Sequence, residues 1–178
     1  EGVPVSDLEI KGIDVVRSNF PPYFRSELKN IIIMILNNKT NDDINKKVHD
    51  LKHKMSNQTI FDIAIPTGIK YIDKYMDDKT IYKKGAPIYT KAAIYYNLLL
   101  SEFGLDKKYQ PIAENEKIKY VFLKQNKYDF PTIAFKENSP EKILMFIEEY
   151  VDHDAIFNSV MAKKLNRFYE VLNWKLDE

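Results

Sequence analysis

Between Lys79 and Tyr96 the chain reads KTIYKKGAPIYTKAAIYY. Lys79, Lys83, Lys84 and Lys91 stand in this window without a carboxylate; the nearest acids are Asp78 before it and Glu102 after it. The whole chain carries 27 basic and 26 acidic residues, well mixed, so a one-signed window is an exception. Tyr82, Tyr89, Tyr95 and Tyr96 interleave with the lysines, and Gly85-Ala86-Pro87 marks a turn between two structured segments. Ammonium groups and phenol hydroxyls displayed from a turn and the start of a helix are what a polyanion backbone accepts. The competing reading of the same residues is a solvated basic loop.

A second candidate is Arg17, with Ser18 and Asn19 as short donors beside it. It follows the strand-like KGIDVV of 11–16 and precedes Pro21-Pro22, which open a helix. A helix N-terminus with an arginine next to it can hold an anion; a surface arginine at a turn is the alternative. The densest acidic group is Glu148, Glu149, Asp152 and Asp154, with His153 inside it. It could bind a divalent cation or hold a carboxylate pair. Read otherwise, Glu148 and Glu149 face solvent while Asp152 is the cap and Asp154 a first-turn residue of the last helix, where the dipole favours acids. His49 and His53 have the i, i+4 spacing of metal ligands, but Asp50, Leu51 and Lys52 between them make no metalloprotease pattern and no third ligand is evident. No GxGxxG, GxxxxGK[ST] or GxSxG occurs. Taken alone, the chain does not read as an enzyme.

Composition narrows the classes further. A chain of 178 residues implies one domain or two small lobes. It buries ~70% of its unfolded surface without a staple. With 44% hydrophobic and 30% charged residues it is an ordinary globular composition, but 12 Tyr and 10 Phe promise an aromatic core or surfaces meant to be touched. A net charge of +1 is too small for a general affinity for polyanions, so such a site must come from local segregation. The absence of cysteine excludes disulfides, thiolate metal sites and a cysteine nucleophile. No apolar run approaches the ~20 residues of a membrane helix, so no membrane partner is expected. Glu1 at the start and Asp177-Glu178 at the stop suggest a piece of something larger.

The elements that must position these residues follow from periodicity. Pro22 suits a first helical position, and Phe24, Leu28, Ile31, Ile32 and Ile35 make one stripe of a helix to Leu36. Residues 42–56 form a polar helix with Ile44, Val48, Leu51 and Met55 as its apolar stripe. IFDIAI at 60–65 reads as a strand, Pro66-Thr67-Gly68 as a turn and 69–76 as a short helix. Pro87 opens a helix to about Phe103, and Gly104 stops it. KIKYVFLK at 117–124 alternates as a strand with Ile118, Tyr120 and Phe122 on one face, and PTIAFK at 131–136 is a second strand. Ser139 caps a helix with Pro140 at its first position, ending near Tyr150, and a last helix runs from about Asp154 to Asn173. The expected fold class is α+β, mainly helical with a small antiparallel sheet, with a strand-rich subregion at about 105–136.

Three segments together resemble one family. KGIDVVRSNFPPYF at 11–24 resembles the Lys/Arg-Gly-hydrophobic-acid-hydrophobic-Val-Arg-Arg/Ser opening of the thumb of family B DNA polymerases. IAIPTGIKYIDKY with IYKKGAPIYTKAAIYYN, at 63–97, is similar to the matching region in T-even-like bacteriophage polymerases, where a Lys-Gly-x-Pro-x-His-Val-Arg-Gly-Ala pattern opens a thumb helix. DHDAIFNSVMAKKLNRFYEVLNW at 152–174 is similar to the family's closing helix. The three blocks keep the family's order and spacing and cover essentially the whole chain.

The resemblance implies a thumb domain over residues 1–178, with 1–10 a lead-in from a palm that is not here. It implies a largely sequence-blind grip on the phosphates of double-stranded primer–template DNA, in the cytoplasm of an infected bacterial host. Motifs of the DxxSLYP and YxDTDS types have no match, so catalytic residues, and the Mg2+ they hold, belong to a palm outside this sequence. Palm, fingers and exonuclease parts are the implied partners, with a sliding clamp engaged through a tail absent here. Carried over by position, Arg17 and Ser18 match the thumb opening near the primer strand. Lys84 and Gly85, with Lys83 beside them, match the Lys-Gly turn, and Tyr89, Thr90 and Lys91 match the His-Val-Arg positions. Tyr89 replaces histidine, Lys91 replaces arginine and loses its bidentate fork, and Ala92 replaces a glycine. A protein-interaction module docking on other polymerase or replisome chains is the alternative function. An enzyme built on the 148–154 cluster is a further one.

Overall fold

Pro21 and Pro22 start the first helix, α1 (Pro22–Leu36), as their fixed φ and missing N–H allow. The structure is a computed structural model that describes residues 19–175 and 177. The strand expected at 11–16, Arg17 and Ser18 lie outside the described residues. Phe24, Leu28, Ile31 and Ile33 are buried along α1. The stripe thus turns toward Ile33, leaving Ile32 and Ile35 half-buried. Thr40 and Asp43 form a reciprocal capping box at the start of α2 (Asn41–Met55), whose Ile44, Val48, Leu51 and Met55 are all buried as the periodicity predicts.

The run Ile60–Ile65 is not a strand. Residues Ile60–Ile63 make a short helix, α3, and the strand β1 comes later, at Ile65–Gly68. Thr59 decides this: its hydroxyl donates to the Asp62 carboxylate and its carbonyl accepts from the Asp62 N–H, closing a helical turn that buries Ile60 and Ile63 at i, i+3 spacing. Pro66-Thr67-Gly68 is accordingly strand rather than turn. Proline is tolerated there because β1 is an edge strand.

The chain divides into two units. The first combines the described parts of Glu1–Ile63 and His153–Glu178. It holds α1, α2 and α3, and a C-terminal helical run of α7 (His153–Phe157), a π-helical turn (Asn158–Ala162) and α8 (Lys163–Leu172). The single helix expected from Asp154 to Asn173 is therefore one run with a π-turn inside it, closed by Asn173 in the left-handed region (φ 53°). Asp154 does sit in the first turn of α7.

The second unit is Ala64–Asp152. A three-stranded antiparallel sheet, in the order β1-β2-β3, comprises β1, β2 (Lys117–Phe122) and β3 (Thr132–Phe135). Ile65 pairs with Tyr120 and Gly68 with Lys117; Lys119 pairs with Phe135 and Phe122 with Thr132. Helix α5 (Ile88–Glu102) packs on β3 and β2, so every β3 side chain is buried. As the central strand, β2 buries Ile118 on one face and Val121 on the other, so the expected one-sided alternation does not hold. Helix α4 (Ile72–Tyr75) precedes α5, and α6 (Glu141–Tyr150) follows β3. Ser139 does not cap α6: its hydroxyl oxygen accepts the Lys136 N–H at 2.7 Å, and Pro140 takes the cap position. Helices and a small antiparallel sheet make this an α+β fold. Among the described residues no helix is long and apolar enough to cross a membrane.

Candidate nucleic-acid interface

The basic window lies wholly in the second unit and is more ordered than its composition suggests. Met76 and Tyr82 form an antiparallel bridge, and the Lys83 N–H donates to the Tyr75 carbonyl at 2.8 Å. The link between them is latched by an acid just outside the window. Asp77 accepts the Thr80 hydroxyl at 2.8 Å and the Lys79 N–H at 3.2 Å. These bonds, the Thr80 hydroxyl first, hold the Asp77 carboxyl below the usual carboxylate range. The Ala86 N–H then donates to the Lys83 carbonyl at 3.3 Å, closing a turn in which Gly85 has φ 86°. That dihedral is one glycine adopts without strain, and it leaves Lys83 and Lys84 exposed at the tip.

Pro87 leads directly into α5, which has no side-chain cap and no acid in its first turn. Its first amides and the positive end of its dipole stay available to an anion. Lys91 lies one turn further on. Its ammonium stands 4.9 Å from the centre of the Tyr82 ring. Tyr82 in turn meets Tyr95 edge-on, with hydroxyls 3.3 Å apart and ring centres 5.8 Å apart. Tyr95 packs on Phe130 at 4.4 Å. Burial, then the hydrogen bond to Tyr82, pushes the Tyr95 phenol well up, so it stays protonated and keeps donating to the Tyr82 oxygen. Lys91 is thus fixed through Tyr82 to the aromatic core.

The sequence-predicted residues divide accordingly. Lys83, Lys84 and Gly85 share the exposed turn, and half-buried Tyr89 and Lys91 sit on the first turns of α5. Thr90 belongs to the core instead: it is fully buried, with its hydroxyl 3.4 Å from the Lys70 carbonyl. It contributes packing, not a donor to a ligand. Arg17 and Ser18 lie outside the described residues. Of the metal candidates, His49 and His53 are exposed on α2, and among the described residues no group of three His, Asp or Glu side chains is placed to hold a metal ion.

One neighbour of the window escaped the sequence reading. Lys70, Tyr71, Lys74 and Tyr75 repeat its lysine–tyrosine interleaving, and the Lys74 ammonium lies 5.6 Å from the Tyr71 ring centre and 5.3 Å from that of Tyr75. Extending the window's own signal upstream past Asp77 and Asp78 would have found it.

No protein-family model matches the chain, and no curated protein matches it in sequence. Any function for it rests on its residues and their geometry.

Proposed function

We propose that this chain is the thumb part of a family B DNA polymerase of the T-even-like bacteriophage branch, and that it grips primer–template duplex DNA through phosphate contacts. The observation that carries the reading is the Lys83-Lys84-Gly85 turn running straight into the uncapped start of α5, with Lys91 held over Tyr82. Exposed ammonium groups on a latched backbone meet phosphate without a large ordering penalty, and a contact to phosphate carries no sequence information. The job is to lengthen the residence of the duplex, while nucleotidyl transfer resides in a palm outside this sequence. Among the described residues no group of three His, Asp or Glu side chains is placed to hold the Mg2+ of such a palm.

Fluorescence anisotropy with two unrelated duplexes over a salt series tests this. Log affinity should fall by roughly 0.9 per contacted phosphate per decade of salt, alike for both sequences. Lys84→Ala and Lys91→Ala should each weaken binding on both duplexes and flatten the slope by roughly one unit. Affinity indifferent to salt, a strong preference for one sequence, or survival of both changes would sink the proposal.

One observation favours the second reading, docking on another protein chain. Met76, Ile81 and Leu98 are exposed around an open cavity of about 560 Å³ floored by Ile94. Size-exclusion chromatography with and without duplex separates the readings: a shift with duplex alone supports the DNA grip.

A further inference from the structure

Tyr71 precedes α4 with φ 63° and ψ 28°, a left-handed conformation that a bulky residue adopts only when its surroundings impose it. The imposing group is Glu114, whose two carboxylate oxygens accept the N–H of Tyr71 at 2.7 Å and of Ile72 at 3.0 Å. The β1–β2 ladder runs on to hold the same place. The Ile69 N–H donates to the Glu116 carbonyl and the Asn115 N–H to the Ile69 carbonyl, each at 2.9 Å. What this bracing achieves is display. The Tyr71 residue is 57% exposed. Lys74 flanks one side of the ring, and Lys70 beside it is exposed. Glu114 has both oxygens taken by amides, and Asp73 is the one acid between Lys70 and Tyr75 in sequence.

We propose that Tyr71 is a stacking platform for an unpaired base of single-stranded nucleic acid, with Lys70 and Lys74 meeting the adjoining phosphates. A rigidly displayed aromatic face between lysines is the arrangement that holds single strands: every base offers a π-face, and the cations follow the backbone. A blunt duplex presents no free base face, so this site is distinct in ligand from the Lys83–Lys91 turn and does not depend on it. It is also close to it, since the Thr90 hydroxyl at the start of α5 lies against the Lys70 carbonyl.

The test uses a fluorescein-labelled oligothymidylate of about twelve nucleotides, within the site size of such surfaces. Tyr71→Ala should weaken its binding about tenfold, the loss of one stacked base, while Tyr71→Phe keeps it within about twofold. Blunt-duplex affinity should not move with either change. On the unaltered protein, an abasic oligonucleotide of the same length, which keeps the phosphates and loses the bases, should bind about tenfold more weakly. This arm stands even if Tyr71→Ala misfolds. The proposal is overturned if the unaltered chain does not bind the oligothymidylate, if the abasic strand binds equally well, or if a folded Tyr71→Ala protein binds as before. Loss of duplex binding in Lys84→Ala with Tyr71-dependent oligothymidylate binding intact upholds both proposals. Absence of duplex binding with that dependence intact sinks only the duplex grip.

Discussion

Tyr169 shows how one polar pair orders the end of the chain. Its hydroxyl donates to the Asn45 carbonyl oxygen at 2.7 Å, and the Asn45 amide donates onward to the Lys175 carbonyl at 3.1 Å. Burial first, then the nearby Asp177 charge, pushes the Tyr169 phenol up to about 12; burial does the same to Tyr23. Because the folded state holds these phenols in the neutral form, their contribution is fully present below the ordinary tyrosine value of about 10. It is lost as pH rises from there through about 12. Stability should therefore fall on the alkaline side, and the single tryptophan, Trp174, whose ring centre is 6.0 Å from that of Tyr169, should report it by fluorescence. Tyr169→Phe should cost about 1–3 kcal/mol at neutral pH, since it strands a buried Asn45 oxygen, and should make the alkaline loss shallower. An unchanged alkaline profile in Tyr169→Phe would show that other groups govern it.

Among the elements, α5 joins the site to the core. Leu99 is completely buried and its neighbour Leu98 is 42% exposed. Leu99→Ala should destabilise by about 2–5 kcal/mol. Leu98→Ala should stay within about 0.5 kcal/mol. Urea denaturation of the two variants checks this, and equal losses would mean that the helix buries a different face. The helix α5 itself was legible from the sequence, because Pro87 and Gly104 mark its two ends, although Ile88 is exposed. The apolar stripe of α2 was legible from its periodicity. Residues 60–68 were not. Six residues of which five are apolar satisfy helix and strand alike, and the decision lies with the Thr59–Asp62 contact and with the edge position of Pro66. The site was half legible. Local charge and the Lys-Gly-Ala-Pro turn mark Lys83, Lys84 and Lys91, but nothing near Thr90 in sequence says that it turns inward onto Lys70. Nothing near Tyr71 announces a left-handed residue either. No glycine or asparagine stands there, and the group that imposes the conformation, Glu114, is 43 residues away.

At the scale of the whole molecule, a net charge of +1 means that any attraction to DNA must be local. This gives a prediction that separates a site from a general field. Protonating the three histidines would add three charges to that small net value. As residue types, histidine has a reference value of about 6.5 and lysine one of about 10.4. None of the histidines falls between Ala64 and Asp152; they are His49, His53 and His153. If Lys83, Lys84 and Lys91 hold the duplex, its affinity at fixed ionic strength should stay within about twofold between pH 8 and pH 6, a range well below the reference lysine value of about 10.4. If binding follows overall charge, or if His49 and His53 on α2 meet the phosphates, affinity should climb as pH falls through the histidine range and the salt slope should steepen with it. Anisotropy titrations at the two pH values decide between them, and a climb that disappears in a His49→Gln/His53→Gln double variant would move the interface to α2.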